Sequence, residues 1–265
     1  MKNDFTNFMK IFLLALCMTF SIPAVAEINW GRALQALVEG AQAVTLTDSQ
    51  MASYVSQSVA QMDAQNKVLP ASSPYVKRLA RLTANCKDAD GIPLNFKVYQ
   101  TKEVNAFACP DGSVRVYTGL MDIMDDNELM GVVGHEIGHV LKRHSRKALR
   151  NQLLSGAFRD ALASTSGTVA VLTDSQLAAI GQTLLNAKYS RKQESEADDC
   201  GYDFLVKNGL NPWGMVSAFQ KLDSSNQGSK TNSFLNMFSS HPDTQKRIKA
   251  MTARCKKDGI PRPVK

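Results

Sequence analysis

The segment Gly131–His144, GVVGHEIGHVLKRH, restricts the fold more than any other part of the chain. It is apolar and glycine-dotted, as suits a buried helix, yet it carries three titratable groups. On a helix, residues four apart share a face, so His135 and His139 project together, one turn apart. Glu136 lies about 100° round the helix, beside the histidine pair rather than within it. Two imidazole nitrogens can then ligate one metal ion, while the carboxylate reaches a water held by that ion. This is the arrangement that H-E-x-x-H requires of a zinc hydrolase, with two ligands and one general base. Zinc lowers the pKa of its water towards 7 and makes a nucleophile available at neutral pH. Asp125 and Glu128 form a capping-box pair at the start of this helix. His144, five residues after His139, falls off the ligand face and is expected to be solvated. The longer metzincin pattern would need glycine and histidine where Lys142 and Ser145 stand, so the third ligand must come from elsewhere.

The segment YSRKQESEADDCGYDFL supplies that ligand. Ser190 and Gln193 predict a second capped helix, which sets Glu194 and Asp198 four apart on one face. Glu194 is the expected third metal ligand. Asp198, one turn on, is expected to accept a hydrogen bond from a ligating histidine and fix its tautomer. Glu196 is the rival ligand if the register differs.

The remaining histidine, His241, stands in FSSHPDTQKRI, before a helix predicted to begin at Pro242. Arg247 follows six residues later. Both are expected over the metal, where an imidazole and a guanidinium stabilise the oxyanion formed as water attacks a carbonyl. His241 can instead occupy the open metal position in a resting state. The bland alternative is a loop histidine and a helix-surface arginine. Tyr189 is a further oxyanion candidate.

The N-terminus reads as a secretory signal peptide over residues 1–26. Lys2 and Lys10 precede the apolar run Ile11–Phe20, and Ala24-Val25-Ala26 forms an A-x-A cleavage site. The run is too short for a membrane span. A lipoprotein site at Cys17 is disfavoured because Leu16 stands where a small residue is needed. The expected location is therefore the periplasm. Residues 27–69 read as an N-terminal helical arm with Thr47 or Asp48 as N-cap, and 70–265 as the main domain. A helix is expected from Tyr75 to Cys86, ended by KDADGIP. A strand is expected over Leu94–Gln100, then two short strands around Pro110-Asp111-Gly112. From Leu120 onward the patterns are helical, apart from the small-residue stretch Ser155–Leu172. The fold class is α+β, mostly helical with a small β-sheet. The net charge of +7 is scattered and marks no nucleic-acid partner. Of the five cysteines, four follow the leader, and an even number in an exported chain predicts disulfides. The preferred pairings are Cys86–Cys109 and Cys200–Cys255.

Taken together, NAFACPDGSVRVYTGLM, VVGHEIGHVLKRH, QESEADDCGYDFL and SSHPDTQKRI resemble the minigluzincin-type zinc metallopeptidases related to HtpX and the CAAX prenyl protease, and within them the exported LoiP and BepA type. The resemblance covers roughly residues 74–257. It implies a zincin domain with one Zn²⁺ on His135, His139 and Glu194, and Glu136 as base. It implies that Asn105, Ala106, Phe107 and Ala108 form an edge strand to which a substrate peptide adds by main-chain hydrogen bonds. It further implies a role in envelope quality control, with unfolded or outer-membrane proteins as substrates and a peripheral contact with the membrane or its assembly machinery. In BepA-type relatives a histidine matching His241 can block the zinc. Two departures are expected: the lipid anchor of the LoiP type and the C-terminal repeat domain of the BepA type are both missing.

Overall fold

A computed structural model describes residues 47–154, 172–228, 241 and 244–263. The leader, the first part of the arm, residues 155–171 and the expected helix start at Pro242 lie outside the described residues.

Helix α1 spans Asp48–Gln65, and Thr47 is its N-cap in a reciprocal capping box with Gln50. Its buried positions Met51, Tyr54, Val55, Ser58, Val59 and Met62 recur at helical spacing and form one face. Helix α2, Pro74–Leu82, ends three to four residues before the sequence pattern suggests. The segment read only as its terminator folds as a small hairpin, β1 (Asp88–Ala89) with β2 (Ile92–Pro93). Asp90 and Gly91 both take positive φ, 54° and 79°, as a two-residue hairpin turn requires.

The main sheet has three strands, β3 (Asn95–Tyr99), β4 (Ala106–Ala108) and β5 (Ser113–Tyr117). The order is β3-β5-β4, with β3 parallel and β4 antiparallel to the central β5. Side-chain alternation divides the two faces. Val98, Val114, Val116, Ala106 and Ala108 face one core, and Tyr99, Phe107 and Tyr117 face a second.

The helices that follow are α3 (Thr118–Ile123), α4 (Asp126–Leu141), α5 (His144–Leu154), α6 (Asp174–Leu185), α7 (Arg191–Lys207), α8 (Trp213–Gly228) and α9 (Thr244–Lys257). The first core joins the sheet to α4, α7, α8 and α9 through Leu129, Val133, Leu205, Val216 and Met251. The second core lies between the sheet, α1 and α6, where Ile180 and Leu184 meet Val55 and Met62. The described part of the expected arm therefore covers the far face of the sheet. Its chain rejoins the sheet directly, with Leu69 N–H donating to Val98 O at 2.9 Å. The architecture is α+β and mostly helical, as the pattern suggests.

The expected disulfides are not formed, because Cys86, Cys109, Cys200 and Cys255 are all free thiols. Cys86 belongs to the first core and Cys109 to the second, so their side chains serve opposite sides of the sheet. Cys255 is likewise a fully buried member of the first core. These thiols act as small apolar side chains, and burial pushes the thiol pKa of all three upward.

Candidate metal centre

Helix α4 starts with the capping box Asp125–Glu128 and runs through the H-E-x-x-H motif. Helix α7, capped by Ser190 and Gln193, crosses it at very short range. A Cβ on Gly138 would stand 2.8 Å from Ala197 O, and one on Gly201 would stand 3.0 Å from the His135 amide nitrogen. Only glycine allows this approach, and the approach brings Glu194 and Asp198 to the two histidines.

His135 Nε2 and His139 Nε2 lie 3.0 Å apart. Glu194 places Oε1 3.4 Å from His139 Nε2 and Oε2 3.7 Å from His135 Nε2. His241 Nδ1 completes the group, 3.2 Å from His135 Nε2 and 3.1 Å from Glu194 Oε1. These four side chains, all buried, bring ligand atoms within 4.8 Å of one another. Zinc–nitrogen bonds of about 2.0–2.1 Å imply tetrahedral corners roughly 3.3–3.4 Å apart, and the observed separations of 3.0–3.7 Å bracket that value. The donor set of three imidazoles and a carboxylate suits zinc chemically.

The electrostatics agree with a cation site. Burial, then the Arg247 charge, holds His135 well below the ordinary histidine range, and burial brings His139 down to about 4. Both are therefore neutral ligands at neutral pH. Burial would raise Glu194, but its polar contacts with His139 and His241 and the charges of His241 and Arg247 keep it well below the carboxylate range. Glu136 differs. Burial pushes its carboxyl up to about 7, against the opposing His241 charge. Its Oε1 has no hydrogen-bond partner among the described residues, and His241 Nε2 stands 3.5 Å away. A buried carboxylate oxygen without a partner is costly in a purely structural role.

His135 Nδ1–H donates to Asp198 Oδ1 at 2.8 Å, which leaves Nε2 unprotonated towards the cluster. Arg247 lies at the centre but not as the sequence reading places it. Its Nε and Nη2 donate to Asp198 at 2.8 and 2.6 Å, and Nη1 pairs with Glu194 Oε2 at 2.8 Å. Two carboxylates thus hold the guanidinium behind the ligands, and Phe219 covers its face at 4.3 Å. Arg247 acts on those carboxylates and is not aimed at a reacting oxygen. The Tyr189 ring stacks on His139 with centroids 3.8 Å apart, and its hydroxyl lies 3.1 Å from Ser145 Oγ. It walls the ligand more than it offers a free donor.

His144 corrects an expectation. It is 1% exposed and lies against His139, with the two Nδ1 atoms 3.0 Å apart. Counting 100° per residue fails because α4 ends at Leu141 and Arg143 takes a left-handed turn, φ 57°, before α5 begins. No glycine or proline marks this break in the sequence. Glu196 does not join the cluster but pairs with His144 Nε2 at 3.0 Å.

The strand β4 lies beside α4, and the Ala108 main chain near Glu136 tempers the upward shift of its carboxyl. Asn105 O and Cys109 N–H bond to β5 through Tyr117 N–H and Ser113 O. By antiparallel alternation, Ala106 and Ala108 direct their main-chain groups to the other edge, which no strand among the described residues covers. Asn105 and Phe107 side chains are buried.

Comparison with known proteins agrees with this geometry. A family model described as Peptidase family M48 matches residues 70–255. The chain is 37% identical over 252 residues to Metalloprotease LoiP of Escherichia coli K12, covering 95% of this chain and 98% of that protein. It is 42% identical over 228 residues to Metalloprotease YcaL of the same organism, covering 86% and 88%. It is 29% identical over 163 residues to the E. coli K12 beta-barrel assembly-enhancing protease, spanning 58% of this chain but only 33% of that relative. With the His-Glu cluster in place and the family model spanning most of the chain, this protein belongs to peptidase family M48 and is a metalloendopeptidase.

Proposed function

We propose that the chain is a zinc-dependent endopeptidase of the bacterial periplasm that cuts misfolded or envelope proteins. One observation carries this reading: beside four converging side chains stand a buried Glu136 oxygen and a strand edge that both lack partners among the described residues. His135, His139 and Glu194 would hold a zinc ion, which would supply Lewis acidity for the scissile carbonyl and the attacking water. Glu136 takes the proton from the attacking water on its free oxygen and delivers it to the leaving amine nitrogen. Because water attacks directly, no acyl-enzyme forms. Asp198 and Arg247 keep His135 and Glu194 oriented through the cycle. His241 Nδ1 stands in the fourth corner with Nε2 facing Glu136 Oε1, so the ring has to leave that place before a water and substrate can occupy it.

The substrate lies extended along β4 and pairs with the main-chain groups of Ala106 and the carbonyl of Ala108, whose amide faces Glu136. A cavity of about 280 Å³ adjoins His139, lined by the apolar Met51, Ile92, Pro93, Pro110 and Val140 together with the charged Asp48, Asp111, Arg143 and Arg146. It suits an apolar substrate side chain, which unfolded proteins and outer-membrane precursors expose. The exported location rests on the leader pattern of residues 1–26. Among the described residues no helix is long and apolar enough to cross a membrane.

The position of His241 favours a second reading, a latent protease or assembly factor on the same fold. Its Nδ1 occupies the fourth corner of the cluster. Chelation tests the main reading. Removing the metal stops casein cleavage, and stoichiometric zinc restores it. Cleavage that persists in the metal-free protein contradicts the proposal.

A further inference from the structure

We infer that His144 and Glu196 are positioning residues that hold His139 in its metal-binding tautomer. The inference rests on the metal reading above and concerns a part of the site that it leaves unused. His139 turns Nε2 to the cluster and Nδ1 to His144 Nδ1, 3.0 Å away. Two neutral imidazole nitrogens at that distance share one proton, and which ring owns it decides whether His139 can bind a metal. If His144 donated, the His139 proton would sit on Nε2 and cover the ligating lone pair.

Glu196 settles ownership. Its Oε2 stands 3.0 Å from His144 Nε2, and a carboxylate only accepts. His144 therefore carries its proton on Nε2 and leaves Nδ1 as an acceptor. His139 Nδ1–H donates to it, and Nε2 stays free. The result is a directed chain, His139 to His144 to Glu196, which ends on a negative charge. It parallels the direct bond from His135 to Asp198. The extra imidazole bridges a fully buried ligand to a carboxylate whose side chain is 38% exposed. The left-handed turn at Arg143 is what delivers His144 to this place. A non-glycine residue in that conformation is uncommon, and at a site it points to a geometric demand.

The test measures zinc dissociation constants by competition with a chromophoric chelator at one pH, alongside thermal melting. Losing such a ligand-orienting partner costs about 10–100-fold in metal affinity. We expect that loss in His144→Phe, which keeps the bulk but removes the acceptor. His144→Asn, whose carboxamide oxygen can accept from His139 Nδ1–H, recovers most of it. Glu196→Ala weakens zinc several-fold without opening a core cavity. Affinity within twofold of wild type in His144→Phe overturns the inference. So does equal weakening in His144→Phe and His144→Asn with Glu196→Ala unchanged, which assigns His144 a packing role only. If His144→Phe does not fold, Glu196→Ala decides alone: a several-fold loss supports the relay and unchanged affinity overturns it. A wild-type protein that binds no zinc overturns the metal reading and this inference together. Wild-type binding with unaffected variants overturns only the inference.

Discussion

His241 and Glu136 illustrate how much of this protein's chemistry is decided by single atoms. His241 Nδ1 sits among the ligands, and its Nε2 faces the only cluster carboxylate oxygen, Glu136 Oε1, that lacks a partner among the described residues. Burial lowers the His241 pKa, but the charges of Glu136 and Glu194 outweigh it and raise the value overall. In this position the ring fills the space an attacking water needs. We expect His241→Ala to retain zinc and to raise casein cleavage several-fold, read by released peptides against metal content. A fall in turnover with zinc retained assigns the ring to oxyanion stabilisation, and unchanged turnover contradicts both roles. At this scale the sequence was informative wherever one helix carries the geometry. The four-residue spacings of His135 with His139 and of Glu194 with Asp198 place each pair correctly. It failed at His144, where the helical phase is reset by a backbone turn that no residue type announces.

Between elements, the site depends on how closely α7 lies against α4. Gly138 and Gly201 permit that approach. A methyl group at Gly138 meets the Ala197 carbonyl, which is backbone and cannot rotate away. Gly138→Ala therefore forces the helices apart, at a cost of about 1–3 kcal/mol typical of overpacking. Thermal melting should fall, and zinc affinity with it, because Glu194 withdraws from the histidines. A variant with unchanged melting and unchanged metal binding contradicts this view of the packing. Element starts were legible where a capping box writes them, as at Asp125 with Glu128 and Ser190 with Gln193. The turn at Pro110–Gly112 was legible from its residue types. The parallel pairing of β3 with β5 was not, because the sheet order is set by contacts distant in sequence. The β1–β2 hairpin looks like a mere helix stop in the sequence, since two-residue strands carry no periodicity. Arg247 was found, but its engagement by Asp198 and Glu194 depends on the docking of α9, which no local pattern encodes.

Across the whole molecule, α1 and the sheet are joined by one ionic group. Asp63 accepts from Arg115 Nε and Nη2, Lys97 Nζ and Tyr99 Oη at 2.6–3.0 Å. Arg115 is 2% exposed, and among the described residues Asp63 is the one carboxylate it pairs with. Burial would raise the Asp63 pKa, but these hydrogen bonds outweigh it and hold the group at about 2. A carboxyl lowered in the folded state stabilises it at pH values above its unfolded pKa. From the lowered value, that contribution is about 2 kcal/mol, present above pH ~4 and lost as pH falls towards 2. Asp63→Ala leaves a buried, unpaired arginine and should cost about 3–5 kcal/mol at neutral pH, measured by urea unfolding. It should also flatten the acid limb of the stability profile. Equal acid sensitivity in wild type and variant contradicts the assignment. This junction links residue 63 to residue 115 and was invisible in the sequence, where residues 27–69 read as an arm.

The most direct test compares wild type with Glu136→Gln on casein, with zinc measured in both. We expect equal zinc and a loss of cleavage of at least about 10²-fold in the variant, the scale expected for removing a general base. Zinc in both proteins with equal cleavage contradicts Glu136 as the base, and with it the central claim.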